Sequence, residues 1–340
     1  MKLYDANGYL NIPAIDREAV RQGISFIIII GARQVGKTYG TLKHMIDDNR
    51  RFILMRRTQT ESDFIASGAI APFAGMGYTD MEIKRDSKYT SAIYKGDDRI
   101  GTVMALSTVA KIRGFSGADY SDLVFDEFIP ESHVMRMKNE GDAFLNAIVT
   151  ISGNRELEDK PPLKVWLLAN SNNLASPILF AFGLTEKIES MMSKGQEVSF
   201  LPEKGIAIIL PDSAEVIGKR KKTTLFKALG GASSRFKDMA YDNDFSYNDS
   251  EGVRHVNLAE YNPLISTVDG VTVYRAKSGR RFYVGSYRRG ARVEVSDTDR
   301  GRAEFLKHFP DARMYYIKNA IQFESLTVKE MFLLTIGISK

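Results

Sequence analysis

Cysteine is absent from this sequence of 340 residues, which excludes disulfide staples and thiolate-held zinc. Histidine is scarce: His44, His133, His255 and His308 are scattered and make no metal-ligand spacing. No apolar run is long enough to span a bilayer. The longest, Ile24 to Ile30, has Ser25 inside it, and the polar N-terminus lacks a signal-peptide pattern, so no membrane role is expected. Internal repeats, heptad arrays and an Asn-Lys-x-Asp guanine reader are also missing. At this length two hydrophobic cores are expected.

What is present is an apolar strand, Ser25 to Ile30, running into Gly31, Ala32, Arg33, Gln34, Val35, Gly36, Lys37 and Thr38, with Tyr39 to Ile46 continuing as a helix. Gly-x4-Gly-Lys-Thr between strand and helix is a phosphate loop, in which backbone N–H groups converge on phosphates at a helix N-terminus. Lys37 supplies a cation to the phosphates and the Thr38 hydroxyl is the expected Mg²⁺ ligand. Downstream, Leu123-Val-Phe-Asp126-Glu127 is an apolar strand ending in two carboxylates. There Asp126 would hold Mg²⁺ through water, and Glu127 would orient and polarise the water attacking the γ-phosphate. With no guanine reader and a second carboxylate in place, ATP is favoured over GTP.

The rest of the chain reads coarsely. Asn11 to Gln22 is a lead-in, and Arg51 to Arg57 is a second strand whose basic pair, Arg56 and Arg57, lies at the crevice edge. Glu82 to Tyr94 and Ile100 to Leu106 alternate like a small antiparallel insertion. Asp142 to Ile151 is helical, and Lys164 to Ser171 is a strand whose terminal Asn170 is either a γ-phosphate sensor or an ordinary polar strand end. A strand at Ile206 to Pro211 closes the first domain, residues 1–212. Residues 213–252 form a linker region with the basic run Lys219, Arg220, Lys221 and Lys222, and residues 253–340 form a small α+β domain. In it, a hairpin of Val271 to Ala276 and Arg281 to Tyr287 precedes an apolar helix, Leu326 to Ile336. Charge is uneven: residues 1–200 hold 24 Lys and Arg against 25 Asp and Glu, residues 201–340 hold 23 against 17. A basic C-terminal part suits a polyanion partner.

The ordered set resembles the ATPases that package DNA in small tailed bacteriophages of the phi29 type, relatives of the large terminase subunits. The resemblance rests on Gly31 to Thr38, Met55-Arg56-Arg57, Val124-Phe-Asp-Glu-Phe-Ile129, Asn154-Arg155-Glu156, Ala169-Asn170 and Pro211-Asp212-Ser213, covering residues 20 to about 215. It implies an α/β P-loop NTPase core of the additional-strand, FtsK/terminase-like kind. It also implies a homo-oligomeric ring, commonly a pentamer, that moves double-stranded DNA through the capsid portal in the host cytoplasm, in some members with an RNA adaptor. In such rings a neighbour's basic residue completes each site; Arg113 and Arg155 are the two candidates. Gly153 stands where the family carries a further arginine.

Larger terminases carry an RNase H-like nuclease in the C-terminal place, which needs three or four clustered carboxylates. Val271 to Lys277 offers none, and Asp269, Asp297 and Asp299 sit in turn-like contexts, so the domain reads as an inactive, vestigial nuclease. Arg275, Lys277, Arg280, Arg281, Arg288, Arg289 and Arg292, interleaved with Tyr274, Phe282, Tyr283 and Tyr287, suit phosphate contact. A helicase-like or repair DNA-dependent ATPase would share the core but bring a second RecA-type domain or a strand-separating element, neither of which is visible. A nucleic-acid-binding subunit with a vestigial phosphate loop is opposed by the intact Lys37, Thr38, Asp126 and Glu127.

Overall fold

The computed structural model describes residues 1–111, 115, 117–129, 137, 140–170, 176–212, 253–254, 256–267, 270–278, 281–296 and 298–338. They belong to two compact units, Met1–Ser246 and Tyr247–Lys340.

The lead-in at the start of the first unit is a helix, α1 (Ile12–Arg21). Asn11 caps it, its side chain accepting the Ala14 N–H at 3.2 Å, and Pro13 fits the first turn, where no N–H is needed. Ile12, Ile15 and Ala19 recur on one face and are buried. There follow β1 (Phe26–Gly31), α2 (Lys37–Asp47), β2 (Phe52–Arg56), α3 (Gln59–Ala66), β3 (Met81–Arg85), β4 (Thr90–Lys95), β5 (Asp98–Ala105) and β6 (Asp122–Asp126). Then come α4 (Glu140–Ser152), β7 (Lys164–Asn170), α5 (Pro177–Ala181), α6 (Thr185–Ser193), β8 (Val198–Leu201) and β9 (Ile206–Ile209). A capping box starts α3, with the Thr58 side chain and Glu61 exchanging bonds with each other's backbone N–H.

All nine strands form one sheet in the order β3-β4-β5-β2-β6-β7-β1-β9-β8. The six from β5 to β9 run parallel, with antiparallel strands at both edges. The expected antiparallel insertion is thus part of the main sheet: β5 pairs with β4 on one side and, in parallel, with β2 on the other. Both faces are covered, which is why the interior residues of β1, β6 and β7 are apolar. Ile28 and Ile30 pack with Phe125, Phe144 and Ile188 on one face. Ile27 and Ile29 pack with Ile15, Leu42, Ile65 and Trp166 on the other.

The N-terminal ends of the strands carry a polar cluster that the sequence pattern did not announce. Buried Asp16 accepts bonds from Arg50 at 2.5 Å and from Lys164, and faces His44 Nε2 at 3.0 Å. Burial alone would raise the Asp16 pKa; the bonds from His44, Lys164 and Arg50 instead hold it well below the usual carboxylate range. This ties α1 to the sheet at the end away from the phosphate loop.

The second unit contains β10 (Tyr261–Thr267), β11 (Val271–Ala276), β12 (Phe282–Ser286), β13 (Val293–Val295), α7 (Asp299–His308), α8 (Ala312–Ile317), β14 (Ile321–Phe323) and α9 (Leu326–Thr335). Its sheet runs β13-β10-β11-β12-β14, with an antiparallel meander at the centre and parallel strands at both edges. The expected hairpin is β11–β12, and the strand before it, β10, was not anticipated. Tyr274, Phe282 and Tyr283 are buried, so these aromatics serve the core, not a stacking platform.

Candidate nucleotide site

The phosphate loop joins β1 to α2. Gly36 caps α2 at φ +90°, in the left-handed region that glycine enters freely, and Gln34 sits at φ +67°. A Cβ on Gly36 would lie 3.4 Å from the Tyr9 Cβ, because the segment before α1 closes on the loop; there the Leu10 N–H donates to the Val35 carbonyl at 3.1 Å. Ala32 and Val35 are buried beneath the loop, and Arg33 and Gln34 face the cleft.

Lys37 is buried and donates to the carbonyls of Gly31 at 2.9 Å and Ala32 at 2.6 Å, and to Asn170 Oδ1 at 3.2 Å. Burial pulls its ammonium down to about 8, against the opposing pull of Asp126 and Glu127. Asn170 reaches this lysine because β7 lies between β1 and β6, so its last residue ends level with the loop. The Thr38 hydroxyl donates to Asp126 Oδ1 at 2.8 Å. Asp126 ends β6 in a buried position; burial raises its pKa, and Arg56 and the Thr38 bond lower it in part. Glu127 follows at φ +55°, an unusual backbone for a non-glycine residue, and lines the cleft with Asn170. The cleft has a volume of about 380 Å³, and Tyr39 stands at its mouth with its hydroxyl donating to the Gly75 carbonyl at 3.2 Å.

Sequence reasoning gave Arg56 no role. Its guanidinium bridges the two carboxylates, donating to Asp126 Oδ2 at 2.6 Å and to Glu127 Oε2 at 2.5 Å. The available signal was its place at the C-terminal end of β2, the strand beside β6. Its neighbour Arg57 is buried on Glu140 at 2.6 Å, linking β2 to the start of α4.

Arg155 is not brought to this cleft. It is only 6% exposed, and its guanidinium donates to the carbonyls of Pro161 at 2.9 Å, Tyr120 at 2.5 Å and, more weakly, Gly117 at 3.4 Å. The expectation that it reaches a neighbouring subunit is replaced by a role inside its own. Arg113, Lys219, Arg220, Lys221, Lys222, Arg280, Asp269 and Asp297 lie outside the described residues. In the second unit Arg275, Lys277, Arg281, Arg288, Arg289 and Arg292 are exposed, but not as one cluster. Arg275, Lys277 and Arg281 lie at the β11–β12 turn, while Arg288, Arg289 and Arg292 follow the far end of β12. A strand's rise puts the two groups about 20 Å apart.

The chemistry of the donors fits a nucleotide with a hard divalent cation. Thr38 and Asp126 present adjacent oxygens, the donor type Mg²⁺ takes, and the Lys37 ammonium lies beside backbone N–H groups free of side-chain bulk at Gly36.

Residues 18–257 match the family model of the podovirus DNA encapsidation protein (Gp16). A DNA packaging protein of Bacillus phage B103 is 28% identical over 229 residues, which is 66% of this chain and 64% of that protein, so the match spans under two thirds of that relative's length. Among solved structures, the bacteriophage Phi-29 viral genome packaging motor assembly is similar with a TM-score of 0.64 at 17% identity, covering 95% of this chain and 97% of that one. The Phi-28 gp11 DNA packaging motor is similar with a TM-score of 0.62 at 18% identity, covering 95% and 98%. At these identities the structural likeness is one of fold.

Proposed function

This chain belongs to the podovirus DNA encapsidation protein (Gp16) family, and from that premise we propose that it is an ATP-hydrolysing motor subunit that drives double-stranded viral DNA into a preformed capsid. The observation that carries the reading is the convergence of Lys37, Thr38, Asp126, Glu127 and Asn170 on one cleft at the C-terminal ends of β1, β6 and β7.

The residues divide the work. Lys37, still tethered to the loop carbonyls, sets positive charge against the phosphates, and Asn170 holds its other proton. Thr38 and Asp126 would hold Mg²⁺, which when bound neutralises charge on the β- and γ-phosphates. Glu127 orients the attacking water and takes its proton. Arg56 keeps the two carboxylates apart in role as well as in space, since its two nitrogens hold one oxygen of each.

Further parts of the reading rest on the family. The subunits form a ring, by family likeness a pentamer, at the capsid portal in the host cytoplasm, and an RNA adaptor fits the same picture. The second unit supplies DNA or portal contacts through its exposed arginines, and its ancestry is nuclease-like. In support of lost cleavage, neither β10 nor β11 carries a carboxylate, and Glu324 is spent on the Ser286 N–H at 2.6 Å and its hydroxyl at 2.7 Å.

The test is paired. Glu127→Gln should bind ATP as the parent does while steady-state hydrolysis falls at least about a hundredfold. Lys37→Ala should weaken nucleotide binding itself. A Glu127→Gln protein turning over at the parent rate would refute the assignment.

A further inference from the structure

We propose that residues 1–11 form a strap that couples the phosphate loop to the end of β9, so that a nucleotide bound in the cleft changes how the chain is held just past that strand. The coupling rests on the nucleotide reading above.

Terminal residues stay loosely held unless something ties them down, and this segment is braced along its length. Tyr4 and Leu10 pair across it, and the Asn11 N–H donates to the Leu3 carbonyl at 2.8 Å. Between them the Asp5 carboxylate accepts the N–H groups of Asn7 at 2.7 Å and Tyr9 at 3.0 Å, which closes the turn from within. Leu3 and Tyr4 pack on the core of Ile27 and Ile29, and Asn11 caps α1, so both flanks of the turn are anchored in the unit.

One end of the strap rests on the phosphate loop. The Leu10 N–H holds the Val35 carbonyl at 3.1 Å. Val35 lies between Gln34 and Gly36, both at positive φ, so the direction of that carbonyl is set by the turn that receives the phosphates. One helical turn further along α2, a Cβ on Gly40 would stand 2.9 Å from the Ile12 Cγ1; the missing side chain lets the strap and the start of α1 lie this close.

The other end holds the chain past β9. The Tyr4 hydroxyl donates to Glu197 Oε1, and the same oxygen accepts the Asp212 N–H at 2.8 Å. Backbone secures the pairing, since the Leu210 N–H donates to the Glu197 carbonyl at 2.7 Å. Burial, and then the bond to Glu197, push the Tyr4 phenol well above its ordinary range, so it stays a donor at every working pH. Two donors share one acceptor there, and a strap drawn toward the loop withdraws one of them and changes the hold on the other. β9 runs parallel beside β1 with Ile209 opposite Ile29, so its end emerges beside the start of the phosphate loop. Any change carried along the backbone from β9 toward the second unit passes through Asp212. Tyr4 itself lies outside the lining of the cleft.

Hydrogen exchange on the full chain tests the coupling, read at the amides of Leu210 and Asp212 with and without a saturating non-hydrolysable ATP analogue and Mg²⁺. In the parent, nucleotide should change their exchange rates at least about fivefold, the lower end of ordinary coupling between sites. Tyr4→Phe keeps the ring and removes the donor. Its response should fall below about twofold, while its nucleotide affinity moves by no more than about fivefold, since coupling is reciprocal. Glu197→Gln keeps an oxygen for both donors and should keep the response, whereas Glu197→Leu should lose it. Equal responses in the parent and in Tyr4→Phe would overturn the proposal, as would a parent that binds nucleotide with no change at these two amides. A parent that binds nucleotide no better than Lys37→Ala would instead refute the ATPase reading, and the coupling with it.

Discussion

Arg155 is the residue whose role the tertiary structure changed, and Arg155→Ala decides between the alternatives. The side chain makes well-formed bonds to the carbonyl of buried Tyr120 at 2.5 Å and to that of exposed Pro161 at 2.9 Å, and a weaker third to buried Gly117 at 3.4 Å. Truncation strands the two buried acceptors, at about 1–3 kcal/mol for a carbonyl left unsatisfied, and empties the space of the stem. One good and one weak bond to buried carbonyls, with the emptied stem, therefore give a loss of about 2–4 kcal/mol. For a unit of this size, 1 kcal/mol moves the melting temperature about 2–4 °C, so a fall of about 10 °C is expected. The single tryptophan, Trp166, is fully buried on β7 and reports on this unit alone by fluorescence. Arg155→Lys, able to reach one carbonyl at a time, should recover only part of the loss. An Arg155→Ala protein that melts with the parent, yet loses turnover while still binding ATP, would refute the structural role and restore a finger acting in trans.

Arg56→Met leaves buried Asp126 without its cation. Breaking such a pair costs about 3–5 kcal/mol, and because burial raises the Asp126 pKa the cost should shrink as pH falls and the carboxyl takes up a proton that needs no counter-charge; a loss that stays constant from neutral to acid pH would contradict this. Lys37, with its ammonium at about 8 in the free protein, must be protonated to meet phosphate, so ATP affinity should weaken roughly fivefold between pH 8 and pH 9, which binding measured at both pH values checks. Linkage runs the other way for folding. The unfolded chain binds the Lys37 proton up to about 10.5, so this group's contribution to stability rises with pH between about 8 and 10.5. Changing Arg281, Arg288 and Arg289 together to Gln should reduce the salt dependence of duplex binding by up to about 2.7 in logarithmic slope, at about 0.9 per phosphate contact, and salt-titrated binding assays would show no change if these residues face another protein.

Much of the site was legible in the chain because its chemistry is local. The phosphate loop needs glycine at a left-handed position, a lysine and a hydroxyl within one turn, and an apolar strand in front, all of which fall in consecutive residues from Phe26 to Thr38. The Asp126–Glu127 pair shows itself in the same way, since a strand buried on both faces must be apolar until the residue that meets the ligand. The main strands of the sheet and α4 followed from the same pattern. Helix α1 did not, since its three buried apolar positions are sparse and its cap lies on one asparagine.

Contacts between residues far apart in sequence carried no such signature. Asn170 meets Lys37 only because β7 inserts between β1 and β6, and Arg56 bridges Asp126 and Glu127 only because β2 pairs with β6. The basic residues of the second unit looked like one patch along the chain, and a strand's length divides them between opposite ends of a sheet. From the sequence Arg155 is a candidate to reach a neighbouring subunit, but three carbonyls of its own unit converge where it lies. Spacing along the chain specifies which groups one turn of backbone can present. Which side chains then meet across the sheet, and which are consumed in holding it together, is decided by strand order and by the need of every buried polar group for a partner.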